Sequence, residues 1–231
     1  MRRRIRFLPA LLALLVLGGL VSAQEASIII LVSDNPADLA AANTLAEKIN
    51  VKVVVTPWGN LSDEAVQKIN ASGAAEVYVV GGNVSIPDAE VKIKIKVKRF
   101  AGEDRYHTSA LVAGEWKNCS EIFVAVGDDD QGIQDARIKA KAKNCPILFV
   151  RPDSVPESVA AGMGKLNAST AVLIPTPNMQ IAEIKSKLKA KVKGDVNETK
   201  IDSKQRAAKA IEDAEAATAR AEGNTTEIMD G

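Results

Sequence analysis

The sequence predicts an α/β fold of two tandem Rossmann-like modules, each a small parallel sheet flanked by helices. Three observations carry that expectation. Short β-branched runs such as Ile28-Ile-Ile-Leu-Val32 recur along the chain. Amphipathic stretches with helical spacing separate them. Residues 27–100 align with residues 121–194 at an offset of 94 to 95. Strands alternating with helices imply right-handed crossovers and a parallel sheet, and a fixed long period implies a duplicated unit.

Within the first copy, strands are expected near 28–32, 51–55 and 76–80, as fully buried runs of β-branched residues. Pro36 to Ile49 carries Leu39, Ala42, Leu45, Ala46 and Ile49 on one helical face. A second helix opens at Leu61-Ser-Asp-Glu64, with Ser62 as its cap and Gly73 as its stop. Val91-Lys-Ile-Lys-Ile-Lys-Val-Lys-Arg99 alternates apolar and basic residues and reads as a strand. Lys92, Lys94, Lys96 and Lys98 would then share one face. A third helix, Asp104 to Trp116, closes the copy. The second copy repeats the order. Strands are expected near 121–126, 146–150 and 170–174, and helices near 131–143, 156–166 and 179–189. Lys185, Lys187, Lys189, Lys191 and Lys193 echo the basic alternation, Lys96-Val-Lys98 aligning with Lys191-Val-Lys193. Its third helix runs from Ser203 to about Ala221.

The domain plan is therefore a leader at 1–23, modules at 24–117 and 118–222, and a solvated, flexible tail at 223–231. The leader has a positive front (Arg2, Arg3, Arg4, Arg6), an apolar run from Leu8 to Val21, and Val21-Ser-Ala23 as a cleavage site. That run is short for a membrane span, and no later stretch reaches 18 apolar residues, so the mature chain is expected to start near Gln24 without a span. An uncleaved anchor is the rival.

Composition excludes several classes. The 231 residues carry a formal net charge of +1, which becomes −3 without the leader's arginines. Such a balance does not suit a dedicated nucleic-acid binder. One histidine, His107, and two cysteines leave no zinc finger and no obvious histidine-based triad. Outside the cytosol Cys119 and Cys145 can pair, and such a bridge would stabilise by roughly 3 kcal/mol in the chain-entropy model. The alternative is two buried free thiols.

Seven of the twelve asparagines, Asn60, Asn70, Asn83, Asn118, Asn167, Asn197 and Asn224, begin N-x-S/T sequons, where chance gives roughly one. We read a secreted, cell-surface glycoprotein with these positions on its surface, more archaeal than bacterial in setting.

Candidate binding residues keep two readings each. Arg105, with Asp104 and Tyr106, would meet an acidic glycan group bidentately, or cap a helix and bridge to a neighbour. The lysine strip would bind anionic polysaccharide, or protect an exposed sheet edge. Asp34 and Asp128 follow the first strand of each copy, where ligands of open sheets gather. Asp128 and Asp130 would hold a divalent cation, or cap a helix. Gly81-Gly82 suits a turn needing positive φ more than a phosphate cradle, because GxGxxG and Walker spacing are missing. Asp38 has no identifiable catalytic partner. Trp58 and Trp116 could stack on sugars. No catalytic residue and no cofactor is expected.

Three segments resemble the cell wall-binding repeat 2 family of prokaryotic surface proteins. Asp34-Asn-Pro-Ala-Asp-Leu-Ala-Ala-Ala42 is similar to the family's Gly-Asp-x-x-Ala-Asp-Ala-Leu helix start. Glu76-Val-Tyr-Val-Val-Gly-Gly82 with Val84-Ser85 is similar to its strand and Gly-Gly turn. Arg99-Phe-Ala-Gly-Glu-Asp-Arg-Tyr-His-Thr108 is similar to its Arg-Ile-x-Gly-x-Asp-Arg-Tyr-x-Thr, the most specific of the three. The second copy departs from the pattern: Gln131-Gly-Ile-Gln134, Pro175-Thr-Pro177 and Thr199-Lys-Ile201 stand in place of these motifs. The resemblance implies an α/β module without catalysis that attaches to anionic envelope polysaccharide, its modules grouped around a threefold or pseudo-threefold axis. Family members usually carry three repeats; two repeats could build the envelope, contact a surface-layer protein or form homo-oligomers. An exported sugar- or ion-binding protein is the first alternative, and an exported metal-dependent hydrolase centred on Asp128 the second.

Overall fold

A computed structural model describes residues 27–199. The leader, the helix expected at 203–221, the tail and Asn224 lie outside the described residues. In chain order the elements are β1 (Ile28–Ser33), α1 (Pro36–Ile49), β2 (Val53–Thr56), α2 (Asp63–Asn70), β3 (Glu76–Val80), α3 (Ala89–Lys92), β4 (Lys96–Phe100) and α4 (Arg105–Ala113). They continue as β5 (Glu121–Val126), α5 (Asp130–Lys143), β6 (Ile147–Val150), α6 (Glu157–Leu166), β7 (Thr170–Leu173), α7 (Ile181–Lys189) and β8 (Val196–Glu198). Two four-stranded parallel sheets result, ordered β2-β1-β3-β4 and β6-β5-β7-β8. The two-module α/β architecture is the expected one.

Local chemistry fixes the elements. The Asn35 Oδ1 accepts the N–H groups of Ala37 and Asp38, Pro36 opens α1, and Asn50 ends it in the left-handed region at φ 54°. Ser62 caps α2 through the Ala65 N–H. Ile30 and Val32 point into the large core shared by both sheets, while Ile29 and Leu31 point into a smaller core under α2. The large core runs without a break from α1 to α6, so the two sheets share one packed interior. Across α1 and α5, Lys141 and Glu47 pair at 3.0 Å.

Helix α4 belongs to the first copy by sequence but packs against β6 and α6 of the second. Ser109 Oγ accepts the Phe149 N–H on the outer edge of β6 at 3.2 Å. Gly162 of α6 leaves room for Ala110, since a Cβ there would lie 3.0 Å from the Ala110 Cβ. A free sheet edge is thereby sealed.

Two expectations need correction. The Val91–Arg99 strand is not continuous: α3 takes 89–92 and only Lys96–Phe100 pairs with β3. Buried Ala89 and Ile93 turn the chain against the small core before β4 begins. Lys92 and Lys94 therefore leave the shared face. In the second copy Lys185, Lys187 and Lys189 lie on α7, where Ile184 and Leu188 supply the buried stripe. The fourth strand is Val196–Glu198, so Lys191 and Lys193 are not the counterparts of Lys96 and Lys98.

Candidate functional site

In the order β2-β1-β3-β4 the sheet's winding changes sense between the parallel strands β1 and β3, and ligands of such sheets bind beyond the carboxyl ends at this point. A cleft of about 350 Å³ lies there, between the loops after β1, β2, β3 and β4. A larger hollow of about 690 Å³ opens at the opposite, amino ends of the strands, but among the described residues Lys52 is the one ionisable group lining it. The smaller cleft gathers polar chemistry and is the better candidate.

Asp38 sits at its floor, 8% exposed, on the first turn of α1. Burial pushes its carboxyl up from 3.8 to about 6, and the charge of Arg105 opposes that rise. Among the described residues no hydrogen-bond donor reaches its carboxylate. Gly81, at φ +120°, is needed beside it: a Cβ would collide with Ser85 Oγ and come within 3.2 Å of Asp38 Oδ2. The Gly-Gly turn thus lets the Ser85 hydroxyl pack against the backbone beside the carboxylate.

Trp58 forms the rim, 56% exposed. Its position is fixed by backbone contacts on both sides. The Trp58 N–H donates to Asp34 Oδ1 at 2.8 Å, and the Gly59 N–H donates to the Ser85 carbonyl at 2.8 Å. Arg99 clamps the opposite loop, donating to the carbonyls of Gly81 (2.9 Å) and Ile86 (3.2 Å) and pairing with Glu90 at 2.5 Å. Sequence reasoning missed the clamp, because Arg99 reads as one more cation at the end of a basic run. Glu103, Asp104 and Arg105 complete the wall. With Asp38, the cleft carries three carboxyls and one guanidinium.

The expected polymer-binding residues fall into different places. Asp104 caps α4 through the His107 N–H at 2.8 Å, and Arg151 approaches it at 3.6 Å. Arg105 donates to the Gly127 carbonyl at 2.9 Å and pairs with Asp128 at 2.6 Å. Tyr106 is buried and donates to Asp128 Oδ2 at 3.1 Å; burial and then Asp128 push its hydroxyl pKa up. So Asp104, Arg105 and Tyr106 join the two copies. Lys96 pairs with Glu76 at 3.1 Å, and Lys98 pairs with Glu115 at 2.9 Å while lying over the Tyr78 ring. Lys92 and Lys94 are exposed and make no ion pair among the described residues.

Asp128 is engaged by the first copy and Asp130 stands exposed at the start of α5. Among the described residues no group of three or more His, Cys, Asp or Glu is placed to hold a metal ion. The expected disulfide is not formed: Cys119 and Cys145 are free. Burial, reinforced by Cys145, pushes the Cys119 thiol up to about 11, and burial raises that of Cys145. Both therefore stay protonated and unreactive at neutral pH. Trp116 is buried and donates to the Asn144 carbonyl at 3.0 Å. Of the sequon asparagines, Asn60, Asn83, Asn118, Asn167 and Asn197 are exposed. Asn70 is half-buried and accepts the Lys94 N–H at 3.1 Å. Asn167 ends α6 in the left-handed region at φ 53°, a structural reason for that asparagine.

No protein-family model matches the chain. It is similar to an uncharacterized protein of Methanocaldococcus jannaschii, 28% identical over 137 residues, covering 54% of this chain and 40% of that protein. It is also similar to the amidase enhancer of Bacillus subtilis, 29% identical over 116 residues, covering 49% of this chain and 16% of that protein. Among solved structures, Cwp6 from Clostridium difficile matches with a TM-score of 0.65 at 19% identity, over 76% of this chain and 30% of that one. Cwp8 from the same organism matches with a TM-score of 0.61 at 20% identity, over 75% and 31%. These two share the α/β fold. The chain spans less than half the length of each of these four proteins.

Proposed function

We propose that the protein is a non-catalytic component of the cell envelope that binds envelope polysaccharide, exported by residues 1–23 and glycosylated on the exposed sequons outside the cleft, Asn60, Asn118, Asn167 and Asn197. The observation that carries this reading is the cleft at the carboxyl ends of the first sheet. It holds the buried Asp38 carboxylate below an exposed tryptophan rim, an arrangement that suits recognition of a polar ligand. The fold shared with Cwp6 and Cwp8, which are cell wall proteins, supports the envelope setting, as does the likeness to an amidase enhancer. Among the described residues no helix is long and apolar enough to cross a membrane. Exposed Lys92 and Lys94 are the part of the basic run left to meet an acidic polymer, while Lys96, Lys98 and Arg105 already hold carboxylates.

The test has two parts. Native protein from the source cells should be found in the envelope fraction, with an intact mass showing leader removal and added hexose. Purified protein should be retained by isolated envelope and not by envelope stripped of polysaccharide. Native protein in the cytosol with its leader and no sugar, or equal retention by stripped envelope, contradicts the reading.

A further inference from the structure

We propose that the first-sheet cleft recognises an uncharged sugar through its hydroxyl groups, with Asp38 as the acceptor and Trp58 as the stacking platform. The inference rests on the envelope reading and names the ligand chemistry of that site. It departs from the expectation of an anionic polymer, and the charges in the cleft are the reason. Three carboxyls, Asp38, Glu103 and Asp104, line the cleft; of the two guanidiniums near them, Arg105 is already bound to Asp128 and the Gly127 carbonyl, and Arg151 reaches only Asp104, at 3.6 Å. An acidic group entering the cleft would meet net negative charge at low local dielectric. A neutral polyol meets something different: a carboxylate, buried, with no donor of its own.

A buried carboxylate without donors is costly unless a ligand supplies them. Two neighbouring hydroxyls of a pyranose can donate to its two oxygens, the charge-assisted bonds that carboxylates make best. Gly81 lets the Ser85 hydroxyl close in on the backbone beside Asp38, where a Cβ would collide with it. Ser85 lines the cleft with Asp38, and its Oγ donates to the Gly82 carbonyl at 2.9 Å. Trp58 adds an apolar face. The indole is 56% exposed at the rim, and the backbone that carries it is held by the Trp58 and Gly59 N–H bonds. The aliphatic face of a sugar ring covers such a surface. The second copy has neither group: Gly132 stands at the third position of α5, where α1 has Asp38, and Arg151-Pro-Asp153 follows β6 where Pro57-Trp-Gly59 follows β2.

Binding of the full-length chain to an immobilised panel of neutral and N-acetylated oligosaccharides, with polyglucuronate and polyphosphate as acidic members and calcium alone as a separate titration, tests this. The expected result is retention on at least one neutral member, unaffected by 0.5 M salt. Asp38→Asn and Trp58→Ala should each weaken it at least tenfold, and Lys139→Ala, an exposed position on α5 away from the cleft, should leave it unchanged. Circular dichroism of each variant separates lost binding from lost fold, and Trp58→Phe should restore part of the affinity. Binding to acidic members alone, to calcium alone, to no member, or binding indifferent to Asp38→Asn and Trp58→Ala overturns the inference. Retention by whole envelope alongside any of these leaves the envelope reading standing and removes the sugar assignment. Loss of both removes the envelope reading as well.

Discussion

The carboxyl ends of the two sheets occupy matching places and do opposite things. In the first, a cleft opens over the buried Asp38, and Trp58 stands at its rim. In the second, the same end is filled from the first copy. Arg105 and Tyr106 reach across to Asp128, and a Cβ at Gly127 would lie 2.9 Å from the Tyr106 ring and 3.2 Å from the Arg105 side chain. The outer strands differ in the same way. The matching ladder bonds, Asp34 N–H to Thr56 and Gly127 N–H to Val150, align Val55 with Phe149. Phe149 is fully buried under α4, whereas Val55 is 47% exposed. One end has been given over to cohesion between the copies, which leaves the other free for a ligand.

The comparison can be broken at several points, and the largest effect is expected in the sealed end. Phe149→Ala should cost about 3–5 kcal/mol by chemical denaturation, while Val55→Ala should cost less than about 1 kcal/mol. Equal costs would mean that α4 does not bury the second sheet. Asp38→Asn should act in the opposite direction. The unfolded carboxyl ionises near 3.8 and the folded one near about 6. Between these values the native state keeps a proton that the unfolded chain has lost, so stability falls as pH rises through that window and stays lower above it. Arg105, Glu103 and Asp104 are the charged groups that share the cleft with it. Asp38→Asn should therefore raise stability at pH 7.5 by about 2–3 kcal/mol, with the gain vanishing below pH 4. A pH-independent effect, or a loss, would refute the burial of the Asp38 carboxylate. A stabilising change that also abolishes binding is the pattern expected where a residue is kept for function.

Gly127→Ala should then cost about 1–3 kcal/mol, because Tyr106 and Phe149 leave no room for a methyl group. The smallest effect belongs to the bridge itself. Asp128 and Arg105 are both partly exposed, so Asp128→Asn should cost no more than about 1 kcal/mol and less in high salt. Thermal unfolding at two salt concentrations reads both.

The fold was legible because its elements carry local signals. Asn35, Pro36 and Asn50 bound α1 on both sides, and β3 is a β-branched run between turn residues. The basic run misled because alternation of apolar and charged residues over a few positions fits more than one backbone. In 89–95 buried Ala89 and Ile93 sit four apart and favour a helical turn, and in α7 Ile184 and Leu188 do the same. The cleft was legible only residue by residue, Trp58 as a face for sugars and Arg105 as a polar contact, and not as one site. Asp38, Trp58, Gly82 and Arg105 come from four separate segments, and only the crossovers of a parallel sheet bring them together. The Asp-Arg-Tyr motif drew attention to Arg105 but gave no hint that its partner lay 23 residues on in the other copy.

The two tryptophans offer the most direct test, because one stands in the open cleft and the other is buried with its indole N–H on the Asn144 carbonyl. Nitrogen-proton correlation spectra of the full-length chain should be recorded while the tightest-binding neutral oligosaccharide is added. The account predicts that the Trp58 indole signal and the Gly82 and Asn83 amides move to saturation, with Trp116, Gly127 and Tyr106 still. Movement at Gly127 and Tyr106 with Trp58 unmoved would contradict it.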